Sequence, residues 1–198
     1  MSSSRRDVGR FNDWASTYDR SYLQRLVFEP VQKTLLEMAV AGKPGAASIL
    51  DVGCGTGRLL RAASGVFPGA RLAGVDAAPA MVERARAEGG GIEFQQAFAE
   101  NLPFGDGEFD LVFSTMTFHH WADQRAGIRE VGRVMKPEGF WLLADFTPHG
   151  LLKWFAPRRF PRLERLRDEL GEVGLGVGER RPVAGLGGQV SVLRINRN

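Results

Sequence analysis

Cysteine is almost missing from this chain. Of 198 residues only Cys54 is a cysteine, so no internal disulfide can form and a disulfide-stapled scaffold is excluded. Long apolar runs are missing too. No stretch reaches the roughly 18–20 apolar residues that a membrane-spanning helix needs, and the opening Met-Ser-Ser-Ser-Arg-Arg-Asp has no apolar centre of a secretory signal. The expected location is therefore the cytoplasm. Charge of one sign is not in large excess: 26 Lys and Arg against 23 Asp and Glu leave +3, too small a balance to imply a nucleic-acid partner unless it is locally concentrated. With three histidines in all and no His-Glu-x-x-His spacing, no metal is expected. The composition, 43% hydrophobic and 25% charged, is that of a folded chain long enough for one sizeable core.

The most informative stretch is Ile49 to Leu60, Ile-Leu-Asp-Val-Gly-Cys-Gly-Thr-Gly-Arg-Leu-Leu. A short apolar run ends in an acid, three glycines follow at alternate positions, and apolar spacing resumes at Leu59, Leu60 and Ala63; this reads as strand, glycine turn and helix. Gly53, Gly55 and Gly57 can take positive φ and let a ligand approach the backbone, while the helix start offers unpaired amides. The dinucleotide fingerprint G-x-G-x-x-G is not met; the pattern is D-x-G-x-G-x-G. About twenty residues on, Arg71 to Asp76 forms a second strand ending in a carboxylate, placed to accept both hydroxyls of a ribose. Glycine turn and acid together indicate an adenosine-type cofactor.

Elsewhere the periodicity predicts a helix from about Glu29, with Pro30 in its first turn and Val31, Leu35, Met38 and Ala39 on one face. It predicts a helix from Pro79 ended by Gly89 to Gly91, and a third strand over Ile92 to Gln96. Phe109 to Ser114 scarcely alternates and reads as a fourth strand buried on both faces. Its carboxyl end delivers Thr115 to Trp121, and ligands of open parallel sheets bind beyond those ends, so His119 and His120 fall near the expected site. A helix over Ala122 to Met135, a turn at Lys136 to Gly139, a fifth strand over Phe140 to Asp145, and a hairpin of Leu175 to Pro182 with Gln189 to Asn196 complete the series. Residues 148–170 interleave Leu151, Trp154, Phe155 and Phe160 with Lys153, Arg158, Arg159, Arg162, Arg165 and Arg167. Such a segment suits a cover for the pocket, an acidic substrate, an anionic membrane or nucleic-acid phosphates. It equally suits a helix whose Leu163, Leu166 and Leu170 face the sheet.

Four blocks carry a resemblance over nearly the whole chain: Ile49 to Gly57, Gly74 to Arg86, Ala99 to Ser114, and Glu130 to Asp145. In this order and spacing they resemble the seven-strand, class I S-adenosylmethionine-dependent methyltransferases, and within them the type-11 group. The resemblance implies a three-layer α/β/α Rossmann-like sheet of seven strands with an antiparallel last strand. Residues 1–44 would form an N-terminal helical cover and residues 45–198 the cofactor-binding core. It further implies methyl transfer from S-adenosyl-L-methionine to an oxygen, nitrogen or carbon of a small molecule, leaving S-adenosyl-L-homocysteine, in a monomer or homodimer.

By that resemblance Asp51 and the loop of Gly53, Cys54, Gly55 and Gly57 hold the methionine end, and Asp76 holds the ribose. Ala77 and Met81 line the mouth, Phe98 and Ala99 meet the adenine, Ser114 belongs to the cofactor set, and Tyr18 closes the pocket. His120 is the first candidate for a general base, with His119 beside it. The chain departs from the family at Phe98, which replaces an aspartate that commonly accepts the adenine amino group. That departure motivates a cofactor-binding protein without turnover as the alternative; the basic segment motivates an enzyme acting on RNA or a membrane quinone.

Overall fold

The computed structural model describes residues 28–147, 160, 162–186 and 189–198, with residues 9 and 26 standing alone. Tyr18 and residues 148–159 of the basic segment lie outside the described residues.

Seven strands form one sheet in the order β3-β2-β1-β4-β5-β7-β6: β1 (Ser48–Val52), β2 (Arg71–Asp76), β3 (Glu93–Gln96), β4 (Phe109–Thr115), β5 (Met135–Phe146), β6 (Leu175–Pro182) and β7 (Val190–Arg197). The first five pair in parallel, whereas β7 is antiparallel to both β5 and β6. Helices α1 (Glu29–Gly42), α2 (Arg58–Val66), α3 (Pro79–Ala87), α4 (Gln124–Val134) and α5 (Leu163–Gly171) connect them. Helices cover both faces, so the central strands must be apolar on both sides. Thus β1 and β4 are buried almost throughout.

Two cores result. On one face Val31, Leu35, Met38 and Ala39 of α1 and Leu59, Leu60 and Ala63 of α2 pack on Ile49, Leu111, Phe113 and Leu142. On the other, Ile128, Val131 and Val134 of α4 and Leu166 and Leu170 of α5 pack on Leu50, Val112, Trp141 and Leu143. The exposed face of α5 carries Arg165 and Arg167, which is the amphipathic arrangement expected of a helix lying on a sheet.

The turn expected at Lys136 to Gly139 is accommodated inside β5. Met135 pairs with Phe109 and pairing resumes at Phe140 with Leu111, so the intervening residues are looped out of the ladder with Pro137 and Glu138 exposed. α4 correspondingly starts at Gln124, where the Asp123 side chain accepts from the Ala126 amide at 3.0 Å, and Met135 belongs to the strand.

The amino-terminal edge of the sheet is tied by one acid. Asp110 Oδ2 accepts from the Ala47 amide (3.0 Å), the Ser48 amide (3.1 Å), Ser48 Oγ (3.0 Å) and Lys136 Nζ (3.1 Å), joining β1, β4 and the β5 excursion. Burial of this side chain, 10% exposed, works to raise its pKa, but Lys136, Ser48 and the Ala47 amide prevail and hold it at about 2. Because the folded value lies below the unfolded one, the stabilisation is complete above about pH 4 and is lost as pH falls through 2. Asp110→Asn is expected to lower stability at pH 7 by about 1–2 kcal/mol after allowance for solvent screening. Chemical denaturation should show the difference from wild type vanishing near pH 2.

Candidate functional site

A cavity opens where β1, β2 and β4 end, enclosing about 770 Å³ of empty space, part of it open to solvent. That is within the size range of small-ligand sites. Its walls include Gly53 and Gly55 of the glycine turn, Asp76, Ala77 and Met81, then Phe98, Ala99 and Glu100, and finally Thr115 to Thr117 with His120 and Trp121.

The glycine turn is shaped for close approach. Gly53 has φ 81, and a Cβ there would lie 2.2 Å from Thr117 Oγ1, so only glycine lets the β4 loop close over the turn. Gly55 has φ 53 and open space where a side chain would point, which leaves its backbone accessible from the cavity. Gly57 caps α2 in a left-handed conformation and backs onto Phe94; it is not among the lining residues. Nor is Cys54, whose buried thiol packs over Gly74 and is pushed up in pKa by burial and by Asp76 and Asp51. A thiol held protonated is a poor nucleophile.

Two carboxylates stand at this edge in different states. Asp76 Oδ2 accepts from the Gly55 amide at 2.8 Å and Oδ1 from the Ala78 amide at 2.9 Å. Burial raises its pKa although both amides work against the rise. Each of its oxygens retains a second acceptor site, so a vicinal diol can be added. Asp51, 2% exposed, has no such support: its Oδ1 has no hydrogen-bond partner among the described residues. Burial, reinforced by the Asp76 charge, pushes its pKa to about 8. An unpartnered buried acid of this kind is most simply satisfied by a cationic N–H donor. Asp51 is not among the residues that line the cavity, whereas Asp76 and the open Gly55 backbone are, and these two fit the ribose diol and the polar end of a ligand such as S-adenosylmethionine.

The two histidines part company. His120 lines the cavity. His119 is buried and faces β5, its Nδ1 lying 2.7 Å from Asp145 Oδ1 and its amide 3.1 Å from Oδ2, while its ring lies 4.0 Å from that of His120 and 4.8 Å from Phe160. Ser114 also points away, accepting from the Trp141 indole at 3.2 Å in the interior. Trp121 enters the wall because Gly127 admits it, a Cβ there falling 2.3 Å from the indole, and because it stacks on Trp141 at 5.9 Å and 5°.

Sequence reasoning marked Thr115 to Trp121 as a stretch but did not single out Thr115, Met116, Thr117 or Trp121 as wall residues. Met116 is the one non-glycine with positive φ, 55, among the described residues. Its left-handed backbone carries strain of about 1–3 kcal/mol, and nothing in a methionine's identity announces it.

Comparison with known proteins places residues 50–143 under a family profile described as a methyltransferase domain. An uncharacterized methyltransferase, YcgJ, of Bacillus subtilis is 42% identical over 102 residues, 49% of this chain and 40% of that protein. The malonyl-[acyl-carrier protein] O-methyltransferase of Hahella chejuensis is 37% identical over 131 residues, 65% of this chain and 45% of its own length. The chain thus spans less than half the length of these curated relatives. A SAM-dependent methyltransferase from Aquifex aeolicus shares the fold with a TM-score of 0.74 at 21% identity, over 93% of this chain and 97% of that one.

Asp51 gives a stability signature opposite to that of Asp110. Its folded pKa of about 8 lies above the reference value of 3.8, so the folded state keeps a proton that the unfolded chain releases, and stability falls as pH rises from about 4 to 8. Asp51→Asn should melt at a higher temperature than wild type at pH 9, and the difference should shrink steadily as pH falls to about 4. Equal melting temperatures at both pH values would mean that Asp51 is not held at a cost.

Proposed function

We propose that the chain, whose residues 50–143 match the methyltransferase-domain family profile, binds S-adenosylmethionine in the cavity at the ends of β1, β2 and β4. It then transfers the methyl group to an oxygen, nitrogen or carbon of a small-molecule acceptor. The observation that carries this reading is Asp76 in the cavity wall beside the open glycine turn, together with buried Asp51, whose Oδ1 has no hydrogen-bond partner among the described residues.

When bound, the cofactor supplies a methyl already activated by a sulfonium. The protein's part is then to align, dry and deprotonate. Asp51 and the Gly53–Gly55 backbone would take the amino-acid end, and Asp76 the ribose hydroxyls. Phe98, 46% exposed in the cavity wall, offers its ring to the adenine, and the Ala99 amide stands beside it. Glu100 supplies the carboxylate that position 98 lacks: it lines the same wall, and its Oε1 is engaged by the Asp123 amide at 3.0 Å, leaving Oε2 for the exocyclic amine. Met116 and Trp121 restrict water near the reacting groups.

His120 is the general base in this scheme, since an imidazole at the cavity wall can take the proton of a hydroxyl acceptor near neutral pH. His119 stays behind it as a fixed neighbour, its Nδ1 lying 2.7 Å from Asp145 Oδ1.

Titration calorimetry should give a binding heat with S-adenosylmethionine and S-adenosylhomocysteine; a response to NAD with neither of these would defeat the reading. With methyl-labelled cofactor and a panel of phenols, amines and carboxylic acids, His120→Ala should reduce turnover of a hydroxyl acceptor about 10²–10⁴-fold at unchanged S-adenosylhomocysteine affinity. An unaltered rate would remove His120 from the mechanism.

A further inference from the structure

Asp145 stands near the carboxyl end of β5 and is 1% exposed. An acid buried so deeply needs donors, and three nitrogens converge on it. Its Oδ1 accepts from the Phe146 amide at 2.7 Å, and its Oδ2 from the His119 amide at 3.1 Å. The His119 ring completes the set, with Nδ1 2.7 Å from Oδ1 and 3.0 Å from Oδ2. One carboxylate thus grips both the backbone and the side chain of a single residue.

His119 belongs to one helical turn, Phe118–His120, whose last residue lines the cavity. The two imidazoles are 4.0 Å apart, centroid to centroid, at 45°, so the rings touch. Phe160 lies 4.8 Å from the His119 ring and Phe146 stands edge-on to it at 6.1 Å. The inner ring is therefore fixed by Asp145 and by aromatic neighbours, and the outer ring rests on it.

An ionised carboxylate only accepts, so the nitrogen facing it carries the proton, and that contact fixes the ring in one tautomer and one orientation. Two imidazoles in contact do not both take up charge cheaply, and burial disfavours it on the inner one. The outer ring, at the cavity, is then the one that gains a proton. Asp145 lies one ring's breadth behind it, where its negative charge offsets the positive charge that forms. The other acids around the turn are engaged elsewhere. Asp76 and Glu100, in the same cavity wall, are held by the Gly55 and Ala78 amides and by the Asp123 amide. Asp123 itself caps α4. Glu169 shares a hollow with Phe118, Phe160, Arg162 and Arg165, and Arg165 donates to it at 2.8 Å.

We propose that Asp145 is a positioning residue for proton transfer: acting through His119, it sets the seat of the His120 ring and stabilises the imidazolium formed there. The acceptor's O–H bond breaks, its oxygen keeps the electron pair for the bond to the methyl carbon, and the proton passes to a His120 ring nitrogen and then to water. His119 and Asp145 end as they began. The inference rests on His120 being the base in the function proposed above.

NMR of the histidine ring nitrogens and carbon-bound protons, on the intact chain without ligand, tests this. The chain has three histidines, which single His→Gln substitutions assign. Wild type at pH 7.5 is expected to show a neutral His119 with its proton on Nδ1. In D145N the new amide donates to that nitrogen, so the His119 proton should move to Nε2, and the titration midpoint of His120 should fall by about 0.5–1 pH unit. D145E should restore most of that fall. With a hydroxyl acceptor that wild type turns over, the acidic limb of the rate profile should move down with the midpoint in D145N. A wild-type His119 carrying its proton on Nε2, or two protons, overturns the inference. So does a D145N midpoint equal to that of wild type, and if D145N then melts lower, Asp145 is a structural tie alone. Should D145N not fold, D145S repeats the midpoint comparison, and the wild-type tautomer remains an independent check. Failure to bind S-adenosylhomocysteine overturns the cofactor reading instead, and an unaltered rate in H120A overturns the base; a functioning His120 whose midpoint ignores Asp145 overturns the positioning role by itself.

Discussion

A parallel sheet covered by helices on both faces has almost no place for a polar side chain except at the ends of its strands. This constraint organises the whole molecule. β1 is buried along its length, yet it carries Asp51, and β4 carries Asp110 at one end and Thr115 at the other. Both acids sit at strand ends, where a loop amide, a lysine or a ligand can reach them. At the amino edge the acid is saturated with partners and ties strands together; at the carboxyl edge the acid is left wanting.

The two edges therefore divide the labour of one fold. Asp110 is held at about 2 by donors that the protein itself provides, and Asp51 is pushed to about 8 by burial and by the Asp76 charge. Evolution of a tight interior would normally remove an unpaired buried carboxylate, which costs folding free energy. Its presence next to an open glycine backbone and a strained Met116 concentrates unfavourable features at one place, as binding sites commonly do.

Much of the architecture was legible before any coordinates. β2 and β6 run between the residues the pattern predicted, and the inward face of α1 is the predicted set of Val31, Leu35, Met38 and Ala39. Those readings rest on local period, which sequence displays. What sequence did not display was direction within the site. Ser114 and Thr115 are adjacent polar residues at the end of β4, and only the pleat decides that the first side chain meets Trp141 while the second residue enters the cavity wall. His119 and His120 pose the same problem, resolved by Asp145 drawing one ring inward. The excursion inside β5 likewise looks like a separate turn in sequence, because Pro137 and Gly139 signal a bend without revealing that pairing resumes on the same partner strand.

The lone carboxyl at the end of β1 has a thermodynamic corollary. Near neutrality that carboxyl carries a proton, and a cation that settles beside it would displace the proton into the medium. Association would then be an exchange of one positive charge for another, and the heat observed on mixing would include the ionisation enthalpy of whatever buffer receives the proton. Tris and phosphate would report different enthalpies for one and the same binding event, and the gap between them would count the protons released.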